Sequence, residues 1–134
     1  MDINEITYKI NGAIYEFNRV LGPGFLEKVY ENALLIELRE RGLKTENQVP
    51  IAVKYKGYSV GEYIADLFVE GKVIIELKTV ETITKLHEAQ LLNYLKATGV
   101  KVGLLVNFQS NKAQIKRMVL DLQEDLRTSA SVRG

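Results

Sequence analysis

The chain has 134 residues, 46% hydrophobic and 26% charged, with 18 basic against 17 acidic side chains, one His and no Cys or Trp. That is one ordinary domain with a core of its own, and two Pro and ten Gly exclude a disordered or collagen-like chain. The Cys and His counts exclude a disulfide framework, a thiolate metal site, a Cys nucleophile and a multi-His centre, so a bound metal must be held mainly by carboxylates, as suits a hard ion such as Mg²⁺ or Mn²⁺.

Asp2 and Glu5 have the spacing of a capping pair, and Ile3, Ile6, Ile10, Ala13, Ile14, Phe17, Val20 and Leu21 recur at helical intervals, predicting a helix over about residues 3–20. Gly22-Pro23-Gly24 breaks it, since Pro lacks an N–H and Gly accepts unusual dihedrals. A second helix carries Val29, Ala33 and Ile36 beside Tyr30, Leu34 and Leu38, and stops at Gly42, the expected C′ glycine, after Arg39 and Arg41. From Gln48 the period becomes two. Val49, Ile51, Val53 and Tyr55 alternate with Pro50, Ala52 and Lys54, a strand whose proline suits a sheet edge. Lys56-Gly57 turns the chain, and residues 63–69 and 72–79 flank Glu70-Gly71 as an antiparallel hairpin, completing a three-strand meander. Residues 85–98 are helical again up to Gly99, and 100–108 form a nearly continuous apolar run of the kind a strand buried on both faces shows. Asn111 can cap a final helix with Ile115, Met118, Val119, Leu122 and Leu126 inward, and residues 128–134 read as a flexible tail. The expected order is α-α-β-β-β-α-β-α: a single α/β domain over 1–127, a mixed sheet flanked by helices.

Charge is uneven. Residues 85–134 hold 8 basic and 4 acidic side chains, which suggests an anion-facing surface, although solvated helix faces explain the bias equally well. The opening MDINEITYKI is polar and acidic, and no apolar run approaches the ~20 residues that cross a bilayer. A cytoplasmic protein with no membrane partner is expected.

The informative segment is YIADLFVEGKVIIELK. In an extended strand Glu76 and Lys78 share a face, while Ile75 and Leu77 point into the core. An acid and an amine side by side offer a metal ligand and a cation for an anionic reacting group. The spacing alone says little, since Glu70-Gly71-Lys72 has it too and lies in a turn. Asp66 on the preceding strand supplies the context. A loop of only Glu70 and Gly71 pairs Asp66 with Ile75 and sends the two carboxylates to opposite faces, whereas a three-residue loop (Glu70, Gly71, Lys72) or one bulge sets Asp66 across from Glu76. The plain alternative is a surface Asp and a cross-strand Glu–Lys pair. Against it, these charges interrupt apolar runs, where an unpaired carboxylate is costly. Two carboxylates ~4 Å apart repel by about 4 kcal/mol at an effective dielectric of 20, and a divalent cation turns that repulsion into attraction.

Asp66 followed by Glu76-Leu77-Lys78 on the next strand, inside an α-β-β-β-α-β core, resembles the PD-(D/E)XK nuclease superfamily. GFLEKVY, from Gly24 to Tyr30, matches the GxxExxY pattern of a small prokaryotic branch, to which VPIAVKYKG, HEAQLLNYLKATG, VGLLVNF and IKRMV are also similar. The likeness runs over about residues 6–120, with Ala65 standing where the superfamily's name has Pro. It implies a restriction-endonuclease-like fold and Mg²⁺- or Mn²⁺-dependent hydrolysis of phosphodiester bonds in nucleic acid, DNA in preference to RNA. By the same resemblance Asp66 and Glu76 hold the metal, the Leu77 backbone carbonyl adds a ligand, and Glu27 is an accessory ligand, direct or through water. Lys78 assists the attacking water and Gln90 orients lysine, water or phosphate. Glu31, four residues beyond Glu27, competes for the role of ordinary solvated glutamate. His87 and Tyr94 fall on helix azimuths adjoining Gln90, at the edge of the Leu91, Leu92, Leu95 stripe, and are weaker substrate contacts; a lone edge His is as readily structural. Lys112, Lys116 and Arg117 are candidate phosphate contacts. The alternative function is a non-catalytic nucleic-acid- or protein-binding module on the same fold, and a homodimer is compatible with either.

Overall fold

A computed structural model describes residues 1–120. Its elements are α1 (Ile3–Leu21), α2 (Glu27–Glu40), β1 (Thr45–Tyr55), β2 (Tyr58–Val69), β3 (Val73–Lys78), α3 (Lys85–Thr98), β4 (Val102–Asn107) and β5 (Gln114–Val119). The strands form one sheet in the order β1-β2-β3-β4-β5. All neighbours are antiparallel except β3 and β4, which are parallel and joined through α3. This is the expected α/β class with helices on both faces, and among the described residues no helix is long and apolar enough to cross a membrane.

Local chemistry sets the boundaries. The Asp2 carboxylate accepts the Glu5 N–H at 2.8 Å, so α1 starts where its cap dictates. Helix α2 ends in a Schellman motif: Gly42, at φ 82°, donates to the Arg39 carbonyl, and Leu43 donates to that of Leu38. Of the two apolar rows expected on α2, the Tyr30, Leu34, Leu38 row is buried, whereas Val29 and Ile36 face solvent. That row packs with Ile6, Ile10, Ile14 and Phe17 of α1 against Ile75, Leu77, Leu104 and Val106. On the opposite face, Leu91 and Leu95 of α3 cover Ile74 and Leu105. Gly103 lets α3 approach: a Cβ there would stand 2.9 Å from Leu91 Cδ1.

One expectation is overturned. The final helix predicted from Asn111 does not form, because Gln114–Val119 is a strand antiparallel to β4. Its alternation explains why: Ile115 packs against the α1–α2 core and Met118 against the α3 side. Strand β4 is buried along its whole length and pairs with β3 on one edge, so its other edge carries buried N–H and C=O groups that need partners. Strand β5 supplies them. Leu122, Leu126 and the tail lie outside the described residues.

Candidate active site

Val69 pairs with Val73 and Leu67 with Ile75, so the β2–β3 turn holds Glu70, Gly71 and Lys72, the three-residue alternative. Glu70 (φ 53°) and Gly71 (φ 63°) are both left-handed, as a tight hairpin turn requires, and Lys72 donates back to the Val69 carbonyl at 2.9 Å. The next cross-strand position sets Asp66 against Glu76. Here side chains take over from the ladder: the Leu77 N–H donates to Asp66 Oδ2 at 2.8 Å, and the Asp66 N–H points at Glu76 Oε1 at 3.4 Å. Strand β1 is irregular at the same level. Gln48, between the Asn47–Leu67 and Val49–Ala65 pairs, has φ 51°, and its side chain donates to Glu31 Oε1 at 2.6 Å.

Glu76 is buried, and that burial, followed by the charge of Asp66, pushes its pKa up to about 9. The nearness of the Asp66 carboxyl thus favours the protonated form of Glu76. Burial also raises Asp66, against the stabilising Leu77 N–H. Glu27, an exposed side chain whose carboxyl is partly desolvated on the site side, is raised by that desolvation and then by Asp66, while Lys78 draws it down, so all three act within one field. Tyr94 joins them: its hydroxyl is raised by burial and then by Glu76, and its ring packs on Tyr63 with centroids 4.8 Å apart.

The residues of GFLEKVY have visible local roles. Gly24 takes φ 102°, and the buried Tyr30 donates its hydroxyl to the Gly22 carbonyl at 2.6 Å, accepts the Phe25 N–H at 3.3 Å and stacks on Phe108 at 4.4 Å. The 22–25 turn is thereby pinned, which sets Glu27 in the first turn of α2.

Other expected residues stand apart. Gln90 is exposed and makes no hydrogen bond with Asp66, Glu76 or Lys78. His87 closes the α3 capping box, its Nδ1 accepting the Thr84 N–H at 3.0 Å. Lys112 lies over the Tyr15 ring, Lys116 pairs with Glu88 at 2.6 Å, and Arg117 donates to Thr7 and Asn4 on α1. As neighbours on a strand, Lys116 and Arg117 point to opposite faces, so they form no common phosphate surface. Glu31, weighed as the solvated acid, is the buried one, and Glu27 is exposed.

Three residues of this region were not foreseen as part of it. Glu31 lies on the buried stripe of Leu34 and Leu38, a placement its spacing carries; it accepts from Lys28 at 2.7 Å as well as from Gln48. Gln48 gives no sequence signal of its dihedral. Asn107, a polar residue closing an apolar run, is buried and clamps the segment after Lys78: its Nδ2 donates to the Val80 carbonyl at 2.7 Å, and its Oδ1 accepts the Val80 N–H at 3.1 Å.

Among the described residues no group of three His, Cys, Asp or Glu stands close enough to hold an ion by itself. Mg²⁺ retains several waters and needs only one or two carboxylates. A buried Glu76 and a half-buried Asp66, brought together at the end of the β2–β3 hairpin, are oxygen donors of the right hardness, and they fit such an ion.

No curated protein matches the chain significantly. The crystal structure of SSO0001 shares the fold, with a TM-score of 0.52 and 21% identity over 77% of this chain; the match spans 55% of that longer chain. The family model of the PD-(D/E)XK nuclease superfamily matches residues 4–118, and the chain belongs to that superfamily.

Proposed function

We propose that the protein is a divalent-metal-dependent nuclease of the GxxExxY type, cutting phosphodiester bonds in DNA. The observation that carries this reading is the three-residue turn, which sets the Asp66 carboxylate beside that of Glu76 at the point where β2 and β3 part. When bound, Mg²⁺ or Mn²⁺ supplies Lewis-acid activation of water and phosphate. Asp66 and Glu76 would hold it, with the Leu77 carbonyl and, through water, Glu27 as further donors. Lys78 orients the attacking water and offsets charge gathering on the phosphate; among the described residues no carboxylate takes its ammonium into an ion pair. On α3, Tyr94 packs on Tyr63 and is felt by the charges of Glu76 and Asp66, Gln90 is exposed and left to meet the substrate, and His87 keeps only Nε2 for a phosphate.

The test is cleavage of labelled single-stranded, duplex, branched and RNA substrates with Mn²⁺, beside the Asp66→Ala and Lys78→Ala proteins. Cutting is expected to need metal and to fall at least about a hundredfold in each variant, as loss of a group acting in the transition state implies. Equal activity in the variants, or binding without cutting across the panel, overturns the enzyme reading; the second outcome is that of a non-catalytic module.

A further inference from the structure

Strand β2 is exposed from its start at Tyr58 through Ile64 and enters the core only at Ala65, so the β1–β2 hairpin runs out past the body of the sheet. Tyr55, Tyr58 and Tyr63 are exposed on it, Tyr58 by 76%, and the Lys56 ammonium sits over the Tyr55 ring at 5.5 Å. Between the hairpin and α3 lies a groove of about 440 Å³, lined by Ala52, Val53, Lys54, Tyr63, Asn93 and Lys96 among others. Among the described residues two lysines and no acid line it, and of these lysines Lys96 already has a partner. Its Tyr63 wall packs on Tyr94, which stands in the field of Glu76 and Asp66. Tyr63 also precedes Asp66 by three residues on β2, about 10 Å along an extended strand, so the groove opens near the carboxylates.

We propose that this groove binds single-stranded DNA and leads it to the carboxylates, with bases stacked on Tyr63, Tyr55 and Tyr58 and phosphates against Lys54. Aromatic faces of this kind serve unpaired bases, each stack contributing about 1–3 kcal/mol; a duplex hides its base faces. Duplex binding rests instead on many phosphate contacts, yet the chain has a net charge of only +1, and Lys116 and Arg117 are engaged by Glu88, Thr7 and Asn4. Along the β1 wall Ala52 and Val53 give a 2′-hydroxyl no side-chain partner, which leaves Asn93 as the amide able to read one and favours DNA over RNA on that wall. Where the strand leads rests on the nuclease reading; the binding does not.

The experiment is fluorescence anisotropy in EDTA and low salt with labelled oligo-dT, oligo-rU of equal length and a duplex of that length. Oligo-dT is expected to bind at least about tenfold more tightly than the duplex and several-fold more tightly than oligo-rU. Tyr63→Ala and Tyr58→Ala each weaken oligo-dT binding by about fivefold or more while Tyr63→Phe retains it, and Lys54→Glu lowers both affinity and the salt slope by about one contact. Duplex or oligo-rU bound as tightly as oligo-dT, unchanged oligo-dT binding in Tyr58→Ala and Lys54→Glu, or no binding to any strand overturns the proposal. Selective oligo-dT binding that is lost in these variants but never followed by metal-dependent cutting leaves the groove standing and removes the nuclease reading instead.

Discussion

A carboxylate can stay on the buried side of α2 only because both oxygens of Glu31 are satisfied, one by Lys28 and the other by Gln48. That second bond also restrains Gln48, whose left-handed backbone stands opposite Asp66 in the β1–β2 register. Glu31→Ala is therefore expected to cost about 2 kcal/mol in urea denaturation and to lower cleavage through the displaced β1 kink. Glu27→Gln, at an exposed position, is expected to change stability by less than about 0.5 kcal/mol while lowering cleavage, and equal loss of stability in both variants removes the distinction. At this scale the placement of Asp66 beside Glu76 was legible because strand alternation and a count of loop residues leave few arrangements. Gln90 and Tyr94 were not separable: helix periodicity locates an edge of α3, but it does not tell that Tyr94 packs inward on Tyr63 while Gln90 is exposed.

Among elements, the strand pair β3–β4 delivers the site, and Asn107 fastens its end. Replacing Asn107 by Ala leaves both the N–H and the carbonyl of Val80 without their partner, at an expected cost of about 2 kcal/mol and with a slower cut, because the backbone beyond Lys78 loses its anchor. Chemical denaturation and turnover of the same preparation check this; unchanged turnover would mean that β3 holds Lys78 without help. Most elements were legible from capping and glycine stops, as the Gly42 and Gly99 termini show. The exception is β5, where Ile115, Met118 and Val119 happen to satisfy helical spacing. The decisive signal lay one element earlier: an apolar run buried on both faces cannot be a sheet edge, so β4 required a neighbour that local periodicity did not announce.

At the scale of the whole molecule, α1 and α2 on one face and α3 on the other bury Glu76 in the sheet between them and half-bury Asp66 beside it, which couples the fold to protons and to cations. In the metal-free protein Glu76 titrates at about 9, against 4.5 in an unfolded chain. Between those values the folded chain holds a proton that the unfolded chain has lost. Its stabilisation is thus complete below the lower pKa and disappears as pH rises through the upper one, by at most about 1.4 kcal/mol per pH unit. Asp66 and Glu27, also raised, add in the same direction. In EDTA the Tm is therefore expected to fall as pH rises from about 5 to about 9, and to fall less in Glu76→Gln, which keeps its neutral side chain throughout. Millimolar Mg²⁺ or Mn²⁺ is expected to reverse much of that fall, more at the alkaline end, because the ion takes the place of the proton and binds only the native state. Asp66→Asn relieves repulsion and can melt higher without metal, so the quantity to compare is the metal-induced shift, expected in the wild type and lost in the variant. An equal shift in both proteins would place the ion elsewhere, and a Tm independent of pH in EDTA would mean that the two acids are solvated rather than held against each other.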